Sequence, residues 1–140
     1  MVRLDQQSKL YEKGFVKYNQ IQLIEITPEY AVSFLETVGE DSLNPYGIVH
    51  GGVYFTMADV AAAALARTDG RAYVTLDSSI HFLRSARQGA SIRATAHPRH
   101  RGKSTFLSVV EVTDQDGRLL ASADFTFFCL GDKPPAPPSR

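Results

Sequence analysis

The sequence predicts an α+β layer, with one long helix packed on one face of a mostly sequential sheet. Two observations carry that expectation. An alanine-rich run, 52–66, places Val53, Met57, Val60 or Ala61, Ala64 and Leu65 at helical spacing. After Gly70 the apolar period changes to two, and long strand-like segments follow one another to residue 130.

In chain order, residues 5–14 suit a short amphipathic helix with Leu4, Leu10, Tyr11 and Phe15 as its apolar contacts. Ile21, Leu23, Glu25 and Ile26 begin a strand, Thr27-Pro28-Glu29 makes a turn, and 31–37 returns as a second strand. Residues 39–48 read as loop, and 52–66 as the central helix, whose alanines let neighbouring backbone come close. In the next strand Val74, Leu76, Ile80 and Phe82 share one face, with Thr75, Asp77, Ser79 and His81 on the other. Strands at 91–97 and 104–113 follow, and the Asp116-Gly117 turn leads into a last strand at 119–130. One domain is expected over 1–130, with a proline-rich extended tail at 131–140.

Composition narrows the class. The 140 residues are 44% hydrophobic and 21% charged, the make-up of an ordinary globular domain. A formal net charge of zero gives no bulk attraction to nucleic acid or an anionic membrane. No apolar run approaches the roughly 20 residues of a membrane span, and residues 1–13 are too charged for a secretory signal. Cys129 is the sole cysteine, so no internal disulfide forms. A soluble, cytoplasmic protein is the simplest expectation.

The most informative stretch is Asn44-Pro45-Tyr46-Gly47-Ile48-Val49-His50-Gly51-Gly52, a polar loop that opens the helix. A helix start leaves backbone N–H groups unpaired and concentrates roughly half a positive charge there. Glycine lets a ligand approach that backbone, so the terminus suits a phosphate, a carboxylate or a developing oxyanion. Asp59 lies inside the same helix, eight residues after Gly51, which is about 12 Å along the axis. One substrate held at the Gly51 N–H is therefore out of reach of Asp59 in the same chain. If both act together, Asp59 comes from a second copy.

The pattern Asn-x-x-Gly-x-x-His-Gly-Gly with its later Asp resembles the hotdog-fold acyl-CoA thioesterases, more narrowly the PaaI-like branch of the 4-hydroxybenzoyl-CoA thioesterase superfamily. The resemblance extends to Tyr73-Val74-Thr75-Leu76-Asp77 and Ile80-His81-Phe82-Leu83-Arg84. It implies the hotdog fold, a long central helix wrapped by a curved antiparallel sheet. The activity it implies is hydrolysis of an acyl-CoA to free acid and coenzyme A, without metal or redox cofactor. Coenzyme A enters as part of the substrate. The implied assembly is a homodimer with shared sites, paired into a homotetramer.

Residue roles follow from the resemblance. The Gly51 N–H binds the thioester carbonyl, and Asp59 of the partner chain acts as general base or as nucleophile. Thr75 orients the attacking water or is simply a good strand residue. Asn44 holds water or carbonyl, or forms the turn before Pro45. His50 positions the loop. His97, Arg99, His100, Arg101 and Lys103 form a basic stretch, and Arg84 and Arg87 follow the first long strand. Arg84, Arg87, Arg99, Arg101 and Lys103 are candidates for the coenzyme A phosphates, against a solvated-turn reading. Tyr46, Tyr54 and Phe55 are candidates for an acyl pocket, or for core packing.

Other motifs carry less. Gly102-Lys103-Ser104-Thr105 lacks the first glycine of a phosphate loop, since His97 stands there, and it joins two strands. His97 and His100 have no supporting cluster for a metal, and no Gly-x-Ser-x-Gly elbow exists. The competing class is a non-catalytic acyl-CoA binding or sensing protein of the same fold. A hotdog hydratase would want a different Asp/His pair, and a DNA-binding relative would want an added helix-turn-helix segment.

Overall fold

In the computed structural model, which describes residues 4–132, helix α3 spans Gly51–Ala66 and contacts every strand of a six-stranded antiparallel sheet. The strands are β1 (Gln22–Ile26), β2 (Ala31–Leu35), β3 (Ala72–Phe82), β4 (Ile92–Arg101), β5 (Thr105–Asp114) and β6 (Leu119–Gly131). Their order is β1-β2-β4-β5-β6-β3, so β1 and β3 are the edges. The predicted α+β layer is therefore present. No helix among the described residues is long and apolar enough to cross a membrane. Of the expected proline-rich tail, 133–140 lies outside the described residues.

Small side chains explain how one helix meets so much sheet. Met57, Ala58, Val60, Ala61, Ala62, Ala63, Ala64, Leu65 and Ala66 are all buried. Each alanine lets a strand come close to the helix axis without opening a void. Phe106, Phe125, Phe127 and Ile92 fill the facing side of the sheet and are fully buried. Along α3 only Gly52 and Phe55 are exposed, with Gly51, Thr56 and Asp59 half-buried. On that narrow strip the otherwise buried helix is left partly open to solvent.

Two expectations need correction. The amphipathic helix at 5–14 is broken into α1 (Leu4–Ser8), a 3-10 turn at Lys9–Tyr11 and α2 (Phe15–Tyr18). Gly14 has φ +84°, which no helix accommodates, so the chain bends there. Leu4 and Tyr11 pack on the core as expected, but Leu10 and Phe15 are exposed. The segment is tied to the far end of α3, where the Gln7 side-chain amide donates to the Ala64 carbonyl at 2.8 Å.

The second correction concerns β3. Its pairing with β6 slips by one residue between Thr75 and Asp77, a β-bulge at Leu76. Residues paired across an antiparallel ladder share a face. Thr75 pairs with buried Phe127, Ser78 with buried Phe125, and Ile80 with Ala123. Val74 and Leu76 therefore do not join Ile80 and Phe82; they point outward and are 46% and 61% exposed. The extra residue reverses the alternation, and Thr75 faces the helix.

The far end of α3 is closed by Arg101. Its Nη2 donates to the Leu65 carbonyl at 3.1 Å, and its Nη1 donates to the Ala66 carbonyl at 3.0 Å and to Asp69 at 2.8 Å. The guanidinium also lies 4.2 Å from the Phe106 ring centroid. A cation at this end satisfies orphan carbonyls and opposes the helix dipole. Arg101→Met is expected to lower stability by about 2 kcal/mol in urea denaturation; an unchanged midpoint would exclude the capping role.

Asp69 also receives hydrogen bonds from Tyr73 and Arg71. Burial raises its pKa, but the Tyr73 and Arg71 hydrogen bonds and the Arg101 charge outweigh that, and the net shift is downward. Burial, then the same carboxylate, pushes the Tyr73 hydroxyl up to about 12. A depressed carboxylate supplies stability that is present above its unfolded value of 3.8 and is lost as pH falls through the lower folded one. Asp69→Asn should thus lower Tm at neutral pH and flatten its fall under acid; a parallel acid limb in both proteins would contradict this.

Candidate functional site

The opening turn of α3 leaves one amide free. The His50 Nδ1 accepts from the Gly52 N–H at 2.9 Å, and the His50 carbonyl accepts from the Val53 N–H at 2.9 Å. Among the described residues the Gly51 N–H has no acceptor. His50 is thus the N-cap, and its ring positions the turn through the nitrogen that faces Gly52. A Cβ on Gly51 would sit 3.1 Å from the Phe82 ring, closer than side chains ordinarily pack, so any larger residue there requires the ring to shift.

The loop before the turn is held by its own asparagine. Asn44 Oδ1 accepts from the Tyr46 N–H at 2.9 Å and the Ile48 N–H at 3.3 Å. The turn-forming reading of Asn44 is therefore realised for Oδ1. The loop is further anchored where the Val49 N–H donates to the Ala86 carbonyl at 2.9 Å.

Two turns along α3, Asp59 Oδ1 accepts from the Thr75 hydroxyl at 2.7 Å. Asp59 Oδ2 has no partner among the described residues. The carboxylate opens into a cavity of about 500 Å³, walled by Phe55, Thr56, Val60 and Ala63 of α3, by Tyr73, Val74, Thr75 and Phe127 of the sheet, and by Tyr11, Phe15, Val16 and Arg67. The lining is mainly apolar around one acid, the composition expected of a small-molecule site. Of the three aromatic candidates only Phe55 lines it. Tyr46 is exposed, and Tyr54 is buried with its hydroxyl donating to the Arg84 carbonyl at 3.3 Å.

The basic candidates divide between the two ends of the helix. Arg84 and Arg87 line a hollow of about 530 Å³ beside the Gly51 end, together with Gln88, Gln115 and Arg118. Arg118 donates to Asp114 at 2.9 Å. Burial raises the Asp114 pKa, but its hydrogen bonds from Arg118 and Asp116 prevail and lower it. Arg99, Arg101 and Lys103 lie in and after β4 near the opposite end. Arg99 and Lys103 are exposed, whereas the Arg101 guanidinium is committed to Leu65, Ala66 and Asp69. Arg101 thus has a second task as helix cap: its Nη1 and Nη2 already bond the Leu65 and Ala66 carbonyls, the Asp69 carboxylate and the Tyr73 hydroxyl, which leaves fewer donors for a ligand.

Sequence reasoning missed several lining residues. Tyr11 and Phe15 read as apolar contacts of a short helix, Val16 carries no signal, and nothing local announces that the three wall a cavity on α3. Arg67 and Arg118 sit beside turns, where a cation is ordinarily solvated.

Comparison with known proteins identifies the family. A sequence pattern described as Thioesterase superfamily matches residues 46–121. The chain is 35% identical over 101 residues to the acyl-coenzyme A thioesterase PaaI of Escherichia coli strain K12, covering 72% of this chain and 71% of that protein. The solved structure of the E. coli PaaI protein from the phenylacetic acid degradation operon superposes with TM-score 0.83 at 30% identity, covering 91% of this chain and 96% of that one. A hypothetical thioesterase protein from Streptococcus pneumoniae TIGR4, solved with coenzyme A, superposes with TM-score 0.74 at 31% identity over 79% of this chain and 86% of its own. A free helix-start amide, a hydrogen-bonded acid two turns later and an apolar cavity thus sit on a hotdog fold, and the chain belongs to the thioesterase superfamily.

Proposed function

We propose that the protein is an acyl-CoA thioesterase whose site is shared between two copies. The observation that carries this reading is the placement of the two open groups at opposite ends of one edge strand. Gly51 sits against Phe82, the last residue of β3, while Asp59 bonds to Thr75 near its start. Seven residues of strand separate Thr75 and Phe82, roughly 23 Å. One protomer therefore holds half of two sites.

A two-fold axis resolves this. Among the described residues the outer edge of β3 has no strand beside it, and Val74 and Leu76 stand exposed on that strand. Antiparallel pairing of two β3 edges brings the Thr75 end of each strand beside the Phe82 end of the other. Asp59 of one chain then faces the Gly51 amide of its partner. The edge is long and partly apolar, a surface that an isolated chain leaves open to aggregation.

The chemistry follows from the parts. The free Gly51 N–H, at the positive end of α3, stabilises the charge that develops on the thioester oxygen. The Asp59 carboxylate, held through Oδ1 by Thr75, presents Oδ2 to a water or to the carbonyl carbon. As general base it takes the proton while water oxygen bonds to carbon. As nucleophile it forms an anhydride that water then opens. Either way the carbon–sulfur bond breaks, and the coenzyme A thiolate leaves and is protonated. Arg84, Arg87 and Arg118 near the Gly51 end supply cations for its phosphates, and Arg99 and Lys103 of the partner extend that surface. The acyl group occupies the cavity beside Asp59. The cytoplasm, where coenzyme A thioesters are made and used, is the proposed location.

Two experiments test this. Asp59→Asn should cut thiol release by roughly a hundred- to ten-thousand-fold and retain acyl-CoA binding by calorimetry. A protein that merely binds acyl-CoA would show no turnover in the wild type either. Separately, Asp59→Asn and Gly51→Val should each be inactive, and their co-expression should restore about a quarter of wild-type sites, since half of random pairs are mixed and each carries one intact site. Mixed dimers that form but stay inactive would refute the shared site.

A further inference from the structure

We infer that the Tyr11–Arg67 pair is the end-stop that sets the longest acyl chain the protein accepts. This deepens the thioesterase reading and rests on it. Arg67 Nη1 donates to the Tyr11 hydroxyl at 2.7 Å. Both side chains line the cavity beside Asp59, about 500 Å³, and both also line a second cavity of about 590 Å³. Leu10, Ala72 and Leu130 belong to that second chamber alone, and Tyr73 and Val74 continue the partition between the two. The chambers therefore adjoin, and a hydrogen-bonded crossbar stands where they meet.

The physics of the barrier is simple. An apolar chain growing away from Asp59 meets apolar walls until it reaches a phenol held by a guanidinium. To pass, it has to part a charge-assisted hydrogen bond and strip water from the cation, and a methylene group returns neither interaction. Beyond the crossbar, Leu10 and Leu130 again present apolar surface. A chain that fits the first chamber is accepted, and one that extends beyond it is refused. Tyr11 stands on the 3-10 turn of the N-terminal segment and Arg67 just after α3, 56 residues apart, so the stop exists only when that segment is seated.

The test is a chain-length profile of kcat/KM over acetyl-, butyryl-, hexanoyl-, octanoyl-, lauroyl- and palmitoyl-CoA. Wild type should fall sharply at one length. Tyr11→Ala should raise the ratio of palmitoyl to hexanoyl by tenfold or more, about the effect of a single misfitted methylene. Tyr11→Phe, which keeps the ring and releases the guanidinium, should move the ratio in the same direction by less. Leu130→Trp, which narrows the second chamber, should cancel the gain in the Tyr11→Ala background. A ratio unmoved in both Tyr11 variants overturns the end-stop while leaving the thioesterase reading intact. Should wild type hydrolyse none of the series, that reading fails instead, and dissociation constants over the same acyl-CoAs then decide the end-stop by the same ratios.

Discussion

Enclosure of helix α3 by the sheet is the constraint on which the rest depends. Contact with all six strands leaves almost no surface of the helix for water. Polar groups on such a helix survive only where the wrapping is incomplete, because an unpaired buried charge costs several kcal/mol. There are two such places: the first turn, where the chain enters, and the strip through Phe55, Thr56 and Asp59, which the sheet does not cover. The candidate site groups are thereby confined to one end and one side of a single element.

The N-terminal segment completes the enclosure without sealing it. Tyr11, Phe15 and Val16 lie over the uncovered strip and turn an exposed acid into the wall of a cavity. Their side chains add apolar wall beside the acid, while the Thr75 hydroxyl keeps the carboxylate partnered. The same segment is fastened to the far end of the helix by Gln7 and by Arg67, so packing at one end shapes the space at the middle.

The two helix ends are treated in opposite ways, and the cations sort accordingly. At the start, His50 caps one amide and leaves the neighbouring one open. At the end, Arg101 gathers the last carbonyls, the Asp69 carboxylate and two aromatic faces. The open end suits an incoming negative charge, and the closed end needs none. Residues that look alike along the sequence thus differ in commitment: Arg99 and Lys103 are exposed with no ion pair among the described residues, whereas the Arg101 guanidinium already bonds two carbonyls and a carboxylate.

Much of this was legible in the chain. The period of the apolar residues specified one helix and a set of strands, because burial of one face is a local demand on sequence. The glycines at the helix start and the acid within an apolar run marked a candidate site for the same reason: each is costly unless it has a task. What the residues did not reveal depends on partners distant in sequence. The bulge at Leu76 exists only in the ladder with β6, and it alone turns Thr75 toward Asp59. The guanidinium of Arg101 found its carbonyls 35 and 36 residues away. The cavity wall came from a segment whose own pattern suggested nothing beyond a short helix. Sequence determined which groups stand out as candidates, since their cost is written locally; tertiary structure decided which of them meet, since register and long-range packing have no local signature.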